Sequence, residues 1–372
     1  MALTNFAALQ PHQKLYWSKK TWTAARDDMF LNRFLGDGTS AVIQHITELT
    51  QDDKGTRVIM NLVGDLAGDG VTGDNWREGN EEALEASYEE IQVDLISNAV
   101  RDKGKLSRQQ SVINFRRVAR DRLVVWMSDR VDQLAILTLS GVAYKFNTDG
   151  STRSGSAFPD LAFAADVSAP SSKRYLTWDG SNLVAGSTAT VTTDSVPKYK
   201  MIVDAIAYAK SHKIRPVTSG GKEYFVLLVQ PGTLAALKMD PLWQNGLTNA
   251  GVRGDNNPWF TGATITVDGA IIHESNKVYT TLGAAAGSKW GADGNINGTR
   301  TLLLGAQALG FADIDQGGAG WVEKLFNYDT QMGVSLDRFI GFKKPRFYSA
   351  TDKSVQDFGV LAIDHYLPNA GA

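Results

Sequence analysis

The stretch from Gly64 to Gly141 constrains the fold more than any other part of this chain. It opens with a turn-rich acidic run, Gly64-Asp-Leu-Ala-Gly-Asp-Gly-Val-Thr-Gly-Asp-Asn-Trp-Arg-Glu-Gly-Asn-Glu-Glu82, between two alternating segments. Thr56-Arg-Val-Ile-Met-Asn-Leu-Val63 places Val58, Met60 and Leu62 on one face, and Glu90-Ile-Gln-Val-Asp-Leu95 places Ile91, Val93 and Leu95 on one face. Together they read as the stem of a long hairpin with residues 64–88 as its tip. A structureless loop of that length has no place inside a compact domain, so it reads as an arm that reaches a neighbouring molecule.

A long helix follows the hairpin. Ser107 with Gln110 three residues on is a capping-box pattern. Val112, Phe115, Ala119, Leu123, Trp126, Met127, Val131 and Leu134 then recur at helical spacing, and Gly141 is a suitable stop. A helix over 107–140 would run roughly 50 Å and act as a spine. Arg108, Arg116, Arg117, Arg120, Arg122 and Arg130 stud it, offset by Asp121, Asp129 and Asp132. Such a face is solvated with i,i+4 pairs such as Arg117 with Asp121, pairs with another subunit, or faces DNA. The first two readings fit the charge balance better.

Among 372 residues, 43% are hydrophobic and 21% charged, enough for a substantial core, and the net charge of −2 argues against a protein that grips phosphates. Cysteine is absent, which excludes disulfides, thiolate metal sites and cysteine nucleophiles. The first residues lack the pattern of a signal peptide, and no run is long enough to cross a membrane.

Elsewhere the pattern is mixed. Trp17 and Trp22 lie in an aromatic, basic N-terminal arm that needs an apolar surface, on a partner or on the chain's own main domain. Residues 146–199 are rich in Ser, Thr and Gly and read as a surface insertion, with short strands near Arg174–Trp178 and Ala189–Thr193. Residues 200–328 alternate helices and strands, and the tail from 329 to 372 supplies strands expected to return to the long helix.

Chemistry-bearing motifs are weak. Gly68, Gly70 and Gly73 satisfy G-x-G-x-x-G, the basis of an alternative reading as a dinucleotide-dependent enzyme, but another turn follows where that fold needs a helix. The loop carboxylates fit no calcium frame, and the five histidines share no metal-ligand spacing. We therefore expect no catalytic residues, no cofactor and no metal.

The order of parts resembles the Hong Kong 97-like coat proteins of tailed phages, closest to the N-four-type phage major capsid family. The resemblance rests on Leu66-Ala-Gly-Asp-Gly-Val-Thr-Gly-Asp74, Glu78-Gly-Asn-Glu-Glu-Ala-Leu84, Ala99-Val-Arg-Asp-Lys-Gly-Lys105, Ser107-Arg-Gln-Gln-Ser111 and Leu139-Ser-Gly141. Weaker echoes follow in Asn257-Pro-Trp-Phe-Thr-Gly262, Asp268-Gly-Ala-Ile-Ile-His-Glu274, Leu304-Gly-Ala-Gln-Ala308 and Gly341-Phe-Lys-Lys344. Trp76-Arg77 stand where the family usually has Leu.

The resemblance implies an α+β fold. It has an N-terminal arm (1–54), an extended E-loop (55–104), a P-domain with spine helix (105–145), the insertion (146–199), an α/β A-domain (200–328) and P-domain return strands (329–372). It implies a structural protomer that assembles as hexamers and pentamers into an icosahedral virion shell around double-stranded DNA, built in the host bacterial cytoplasm. The implied partners are its own copies, a portal protein, a scaffolding protein and a decoration protein, with loose contact to packaged DNA and none to membrane. A separate scaffolding protein is expected because the N-terminal residues show no long helical prefix, unless one was removed. The contact candidates are Asp74, Trp76, Arg77, Glu78, Asn80, Glu81, Glu82, Arg116, Arg117, Arg120, Trp17 and Trp22.

Overall fold

A computed structural model describes residues 24–26, 28–46, 56–63, 70–81, 86–110, 114–219, 221–249, 265–314, 320–349 and 351–368. In chain order the strands are β1 (Leu35–Gly36), β2 (Ile43–Ile46), β3 (Arg57–Val63), β4 (Ala86–Gln92) and β5 (Asp94–Arg101), followed by helices α1 (Lys105–Gln110) and α2 (Phe115–Ser140). Next come β6 (Tyr175–Trp178), β7 (Leu183–Ala185), α3 (Tyr199–Ser211), β8 (Val217–Ser219), β9 (Lys222–Val229), α4 (Pro231–Met239) and α5 (Pro241–Asn249). The remaining strands are β10 (Ile265–Val267), β11 (Ala270–Glu274), β12 (Gly298–Leu304), β13 (Leu309–Ile314), β14 (Trp321–Phe326), β15 (Gln331–Lys343), β16 (Arg346–Ser349), β17 (Ser354–Asp357) and β18 (Val360–Tyr366).

Helix α2 organises the molecule. Its 26 residues span about 39 Å. The N-terminal half is amphipathic, but from Leu134 to Ser140 every residue is buried, which is why the charges stop at Asp132. The Asn114 side chain caps the start by accepting the Arg117 N–H, and Gly141 closes the end at φ 66°. Glycine is required there twice over, because a Cβ would also lie 2.5 Å from the Ser168 carbonyl oxygen.

Two sheets share this helix. The six-stranded sheet is built on β15, with β5 antiparallel along one edge, and β13 and β14 in tandem along the other. Trp321, Val334, Leu336, Ile340 and Phe342 pack from it into the helix core. The eight-stranded sheet runs β10-β11-β9-β12-β18-β6-β7, with β8 on β9. Its central strands are buried on both faces, so they read as continuous apolar runs. Val226, Leu228, Leu302, Leu304, Val360 and Ala362 face α2. Their neighbours Phe225, Leu227, Val229, Leu303, Leu361 and Ile363 face α3, α4 and Trp243.

The end of α2 is tied to this second sheet by charge. Arg300 on β12 donates to the Ser140 carbonyl at 2.6 Å and forms a two-pronged pair with Asp364 on β18 at 2.7 and 2.8 Å. Tyr175 on β6 donates to the same carboxylate at 2.7 Å. Burial opposes the Arg300 charge, but Asp364 outweighs it and raises the guanidinium pKa above its usual value. Two residues before the buried stretch, the Asp132 carboxylate accepts the N–H groups of Phe30 (2.9 Å) and Leu31 (3.2 Å) and the Lys277 amine (3.0 Å). From Met29 the N-terminal segment is therefore part of the core rather than a free arm.

Strands β3 and β4 form a separate two-stranded hairpin, paired from Arg57 opposite Gln92 to Val63 opposite Ala86. Its base lies flat on the six-stranded sheet. Val58, Met60, Ile91 and Val93 pack on Ile46, Ala312, Ile314 and Phe339. Lys343 pairs with Glu89 at 3.0 Å and donates to the Glu90 carbonyl at 2.9 Å. Glycine permits the close approach: a Cβ on Gly341 would lie 2.2 Å from the Gln92 carbonyl oxygen.

Several expectations need correction. The single helix over 107–140 is two helices: α1 starts at Lys105, so Ser107 lies inside it, and the cap of the long helix is Asn114. The alternating run at 90–95 splits at Val93, whose N–H bonds Thr56 of the hairpin. Beyond it the phase slips by one, so Leu95 is exposed and Ile96 is buried. Residues 146–199 are not a surface insertion: Phe163, Trp178 and Val191 are buried, and β6 pairs with β18. Small residues there hide the few large apolar ones that carry the packing. The strand expected at Ala189–Thr193 is a single 3-10 turn, Thr188–Thr190. In the tail both strands return to α2, β15 from the six-stranded sheet and β18, through Val360 and Ala362, from the centre of the eight-stranded sheet.

Three expected outcomes follow from this packing. Arg300→Met strands a buried carboxylate and should cost about 3–5 kcal/mol, and adding Asp364→Leu should recover at least half; urea denaturation of the subunit checks the cycle. Gly341→Ala should cost about 1–3 kcal/mol and open residues 57–92 to protease, because the obstacle is backbone. Gly310→Ala should cost less, since its Cβ meets flexible ends, Ile91 Cδ1 at 2.6 Å and Met60 Sδ at 3.2 Å.

A separate expected outcome concerns His365, which is fully buried. Its Nδ1 donates to the Tyr366 carbonyl (2.8 Å) and its Nε2 accepts the Thr301 hydroxyl (2.9 Å). Burial pushes its pKa down to about 4 from 6.5. Below pH 6.5 the unfolded chain therefore takes up a proton that the folded chain refuses. Stability is lost as pH falls from 6.5 towards 4, by roughly 3 kcal/mol in all. His365→Asn should flatten the dependence of the urea midpoint on pH across that window.

Candidate functional site

The surface to consider is the one left exposed around the hairpin and the start of α2. Residues 70–81 form the described part of the hairpin tip. Gly70, Gly73 and Gly79 take φ of 69°, 67° and 88° there, with open space around each. The chain is turned by its own polar groups. Asn75 Nδ2 donates to the Thr72 carbonyl (2.7 Å), Asn80 Nδ2 to the Trp76 carbonyl (3.0 Å), and the Gly79 N–H to Glu81 Oε2 (2.7 Å). Among the described residues from Asp74 to Glu81 no helix follows Gly73, so these glycines form turns rather than a phosphate cradle.

The tip presents Asp74, Trp76, Arg77, Glu78, Asn80 and Glu81 to solvent, with Trp76 77% exposed. Three carboxylates against one guanidinium leave it acidic. Behind it, the outer face of the stem exposes Ile59 (49%) and Tyr88 (66%). One face of the hairpin is thus used by the chain's own sheet, and the other is open, with Ile59 and Tyr88 set among polar residues that include the Arg57–Glu90 ion pair. Ile59 and Tyr88 were missed as candidates although their phase opposite Val58, Met60 and Ile91 was readable.

The arginine face separates into distinct roles. Arg116 is engaged within the chain, forming a two-pronged pair with Glu323 of β14, whose carboxylate also accepts the Trp321 indole N–H at 3.0 Å. That removes it as a contact candidate. Arg120, not Arg117, pairs with Asp121, at 2.6 Å. Arg117 and Arg122 are exposed beside Val118 (40%) and Val125 (52%), and neither forms an ion pair among the described residues. Trp17, Trp22, Gly68 and Glu82 lie outside the described residues.

The strongly perturbed groups do not converge on a cleft. Burial lowers the Lys344 pKa to about 8 against the pull of Asp357, 2.9 Å away, and both side chains are fully enclosed. Arg300 and His365 are likewise interior and hydrogen-bonded. Among the described residues no group of acidic or histidine side chains could hold a metal ion, and no helix is long and apolar enough to cross a membrane. The arrangement is suited to association rather than turnover.

Comparison with known proteins agrees. The sequence profile described as phage capsid protein matches residues 5–369. The chain is 47% identical over 365 residues to the major capsid protein of Pseudomonas phage KPP25, covering 97% of this chain and 96% of that one. Its fold matches the capsid of Ralstonia phage GP4 with a TM-score of 0.76 at 26% identity, over 92% of each chain. It also matches the capsid of Cyanophage Pam1 with a TM-score of 0.69 at 19% identity, over 100% of this chain and 97% of the other. Their Hong Kong 97-like architecture is the helix and two sheets described above. The chain therefore belongs to the phage capsid protein family, and its function is that of a phage major capsid protein, structural rather than enzymatic.

Proposed function

We propose that the β3–β4 hairpin is the arm by which one subunit engages the next in the shell. The observation that carries this reading is the division of the hairpin's two faces. Its base is held by Val58, Met60, Ile91 and Val93, while Ile59 and Tyr88 stand exposed on the outer face of the stem and Trp76 on a tip braced by its own turns. Burying a tryptophan and a tyrosine on a neighbour would contribute several kcal/mol per contact before ordering costs. A contact between unlike surfaces, repeated around an axis, closes a ring.

In this reading the hairpin with β5 is the E-loop. Helix α2 and the other strands of the six-stranded sheet form the P-domain, and the eight-stranded sheet with α3, α4 and α5 forms the A-domain. Rings of six and five copies build an icosahedral shell in the host bacterial cytoplasm. A scaffolding protein directs assembly, a portal protein occupies one vertex, and a decoration protein stiffens the outside. Double-stranded DNA packs within, touched loosely, because a chain of net charge −2 has little to offer phosphates overall. Arg117 and Arg122, without an ion pair among the described residues, supply a cationic strip for a neighbour's carboxylates.

Deletion of residues 66–82 should leave the subunit's melting temperature within about 3 °C, since the base of the hairpin rather than its tip carries the packing. Shells should be absent by negative-stain microscopy of lysates. Normal shells from the deletion would remove the arm from the assembly contact.

A further inference from the structure

Between β15 and β18 the chain makes a small hairpin, β16–β17, that belongs to neither large sheet. Its inner face and its tip are locked to the body. Phe347 and Gln356 are buried, and Gln356 Oε1 accepts the Lys173 N–H at 3.1 Å. At the base the enclosed Asp357 takes Arg346 at 2.6 Å and the Ser171 N–H at 3.0 Å. At the tip the Asp352 carboxylate turns inward to Arg174 at 2.9 Å, and His212, just past the end of α3, lies 3.7 Å from it.

The outer face has no such partners. Tyr348 and Val355 stand directly opposite each other in the register, 59% and 58% exposed. The Phe358 N–H bonds the Pro345 carbonyl at 3.1 Å, which sets the phase of the ladder, so the N–H and C=O groups of Tyr348 point away from β17. Among the described residues no strand pairs with that edge of β16. Three exposed lysines flank the hairpin: Lys173 held by Gln356, Lys213 next to His212, and Lys353 in the tip. None of their amines has an ion pair among the described residues. Lys213 and Lys353 both hold left-handed backbone, φ 53° and 51°, where Gly or Asn is the usual occupant. The nearby acids, Asp352 and Asp357, are used inward on Arg174, Lys344 and Arg346. The result is an apolar pair in a cationic rim, on a chain whose net charge is −2.

We infer that the outer face of β16–β17 seats a second, acidic protein, which lays an extended segment along the edge of β16. An apolar centre with a charged rim is the anatomy of a protein interface. The free edge supplies main-chain hydrogen bonds, and the lysines select carboxylates. Duplex DNA would use the lysines but neither the apolar pair nor the strand edge. A second copy of this chain fits less well: the acidic run it exposes, residues 74–81, is folded into turns and offers no strand to that edge. The inference rests on the chain's being a shell subunit but not on the arm role of the β3–β4 hairpin.

The test replaces Tyr348 with the photo-crosslinking residue p-benzoylphenylalanine in the full chain, irradiates purified virions and identifies the joined peptides by mass spectrometry. Position 348 should cross-link to a virion protein of different sequence, at a segment where Asp and Glu outnumber Lys and Arg. Adding Lys173→Glu and Lys353→Glu should leave shell yield and melting temperature at the parental values and lower the cross-link yield about tenfold. Cross-links confined to the capsid chain overturn the inference in favour of a contact between copies, and cross-links to DNA in favour of a nucleic-acid contact. Absence of any cross-link, or a yield indifferent to the two charge reversals, overturns it as well. Loss of shells in the charge-reversed chain overturns it in favour of a role in assembly. Each of these outcomes leaves the arm reading standing, because the tip deletion tests that separately.

Discussion

The last carbonyls of α2 end where water does not reach, and Arg300 meets them there. A helix leaves its final carbonyls without partners, and in a dry interior each one is costly. Gly141 recovers part by turning the chain left-handed so that its own N–H and that of Val142 bond back to the last turn. Arg300 supplies the Ser140 carbonyl, and its charge is held in place by Asp364 and capped by Tyr175. Those residues come from β12, β18 and β6, adjacent strands of the eight-stranded sheet. One buried cluster therefore fixes the helix end to three strands far apart in the chain.

The rest of the architecture depends on that fixed end. Once the helix is docked on one sheet, its opposite flank is available to the other, and β15 with its neighbours closes the core from that side. The charged half then necessarily lies towards the N-terminus. Asp132 uses the boundary between the two halves to hold the Phe30–Leu31 segment and Lys277. The hairpin is added last, laid on the outer face of the six-stranded sheet by side chains that pack only because Gly310 and Gly341 leave room. Its base belongs to the fold and its tip does not, a division suited to a part that must reach another molecule.

Different layers of this were open to a reading of residues. The hairpin stem was readable because Val58 and Met60 alternate with polar or exposed neighbours. The buried strands were readable because Lys222–Val229 and Val360–Tyr366 are nearly continuous in apolar residues. The break before α2 was harder. Ser107 and Gln110 satisfy the spacing of a capping box, yet Asn114 is the residue whose side chain caps, and only the backbone geometry distinguishes the two. The slip at Val93 was hidden for a similar reason. Leu95 and Ile96 are equally apolar, and which one faces inward depends on the strand leaving one sheet and entering another. Residues 146–199 misled through composition, since Phe163 and Trp178 carry a packing role that the surrounding Ser, Thr and Gly conceal.

The candidate surface divides along the same line. Residues alone determined that the chain carries an acidic, glycine-rich projection and a long helix, and that no cysteine or clustered histidine was present to do chemistry. Local spacing is enough for such conclusions, because turns, periodicity and composition are short-range properties. Tertiary structure decided which side chains remain for a neighbour. Arg116 was lost to Glu323, 207 residues away, while Arg117 was left in solvent. Tyr348 looked like any strand residue until its pairing with Val355 and its exposure were seen together. A charge or a ring becomes available only when every internal partner has been assigned, and that assignment is made by contacts between segments that the order of residues does not place side by side.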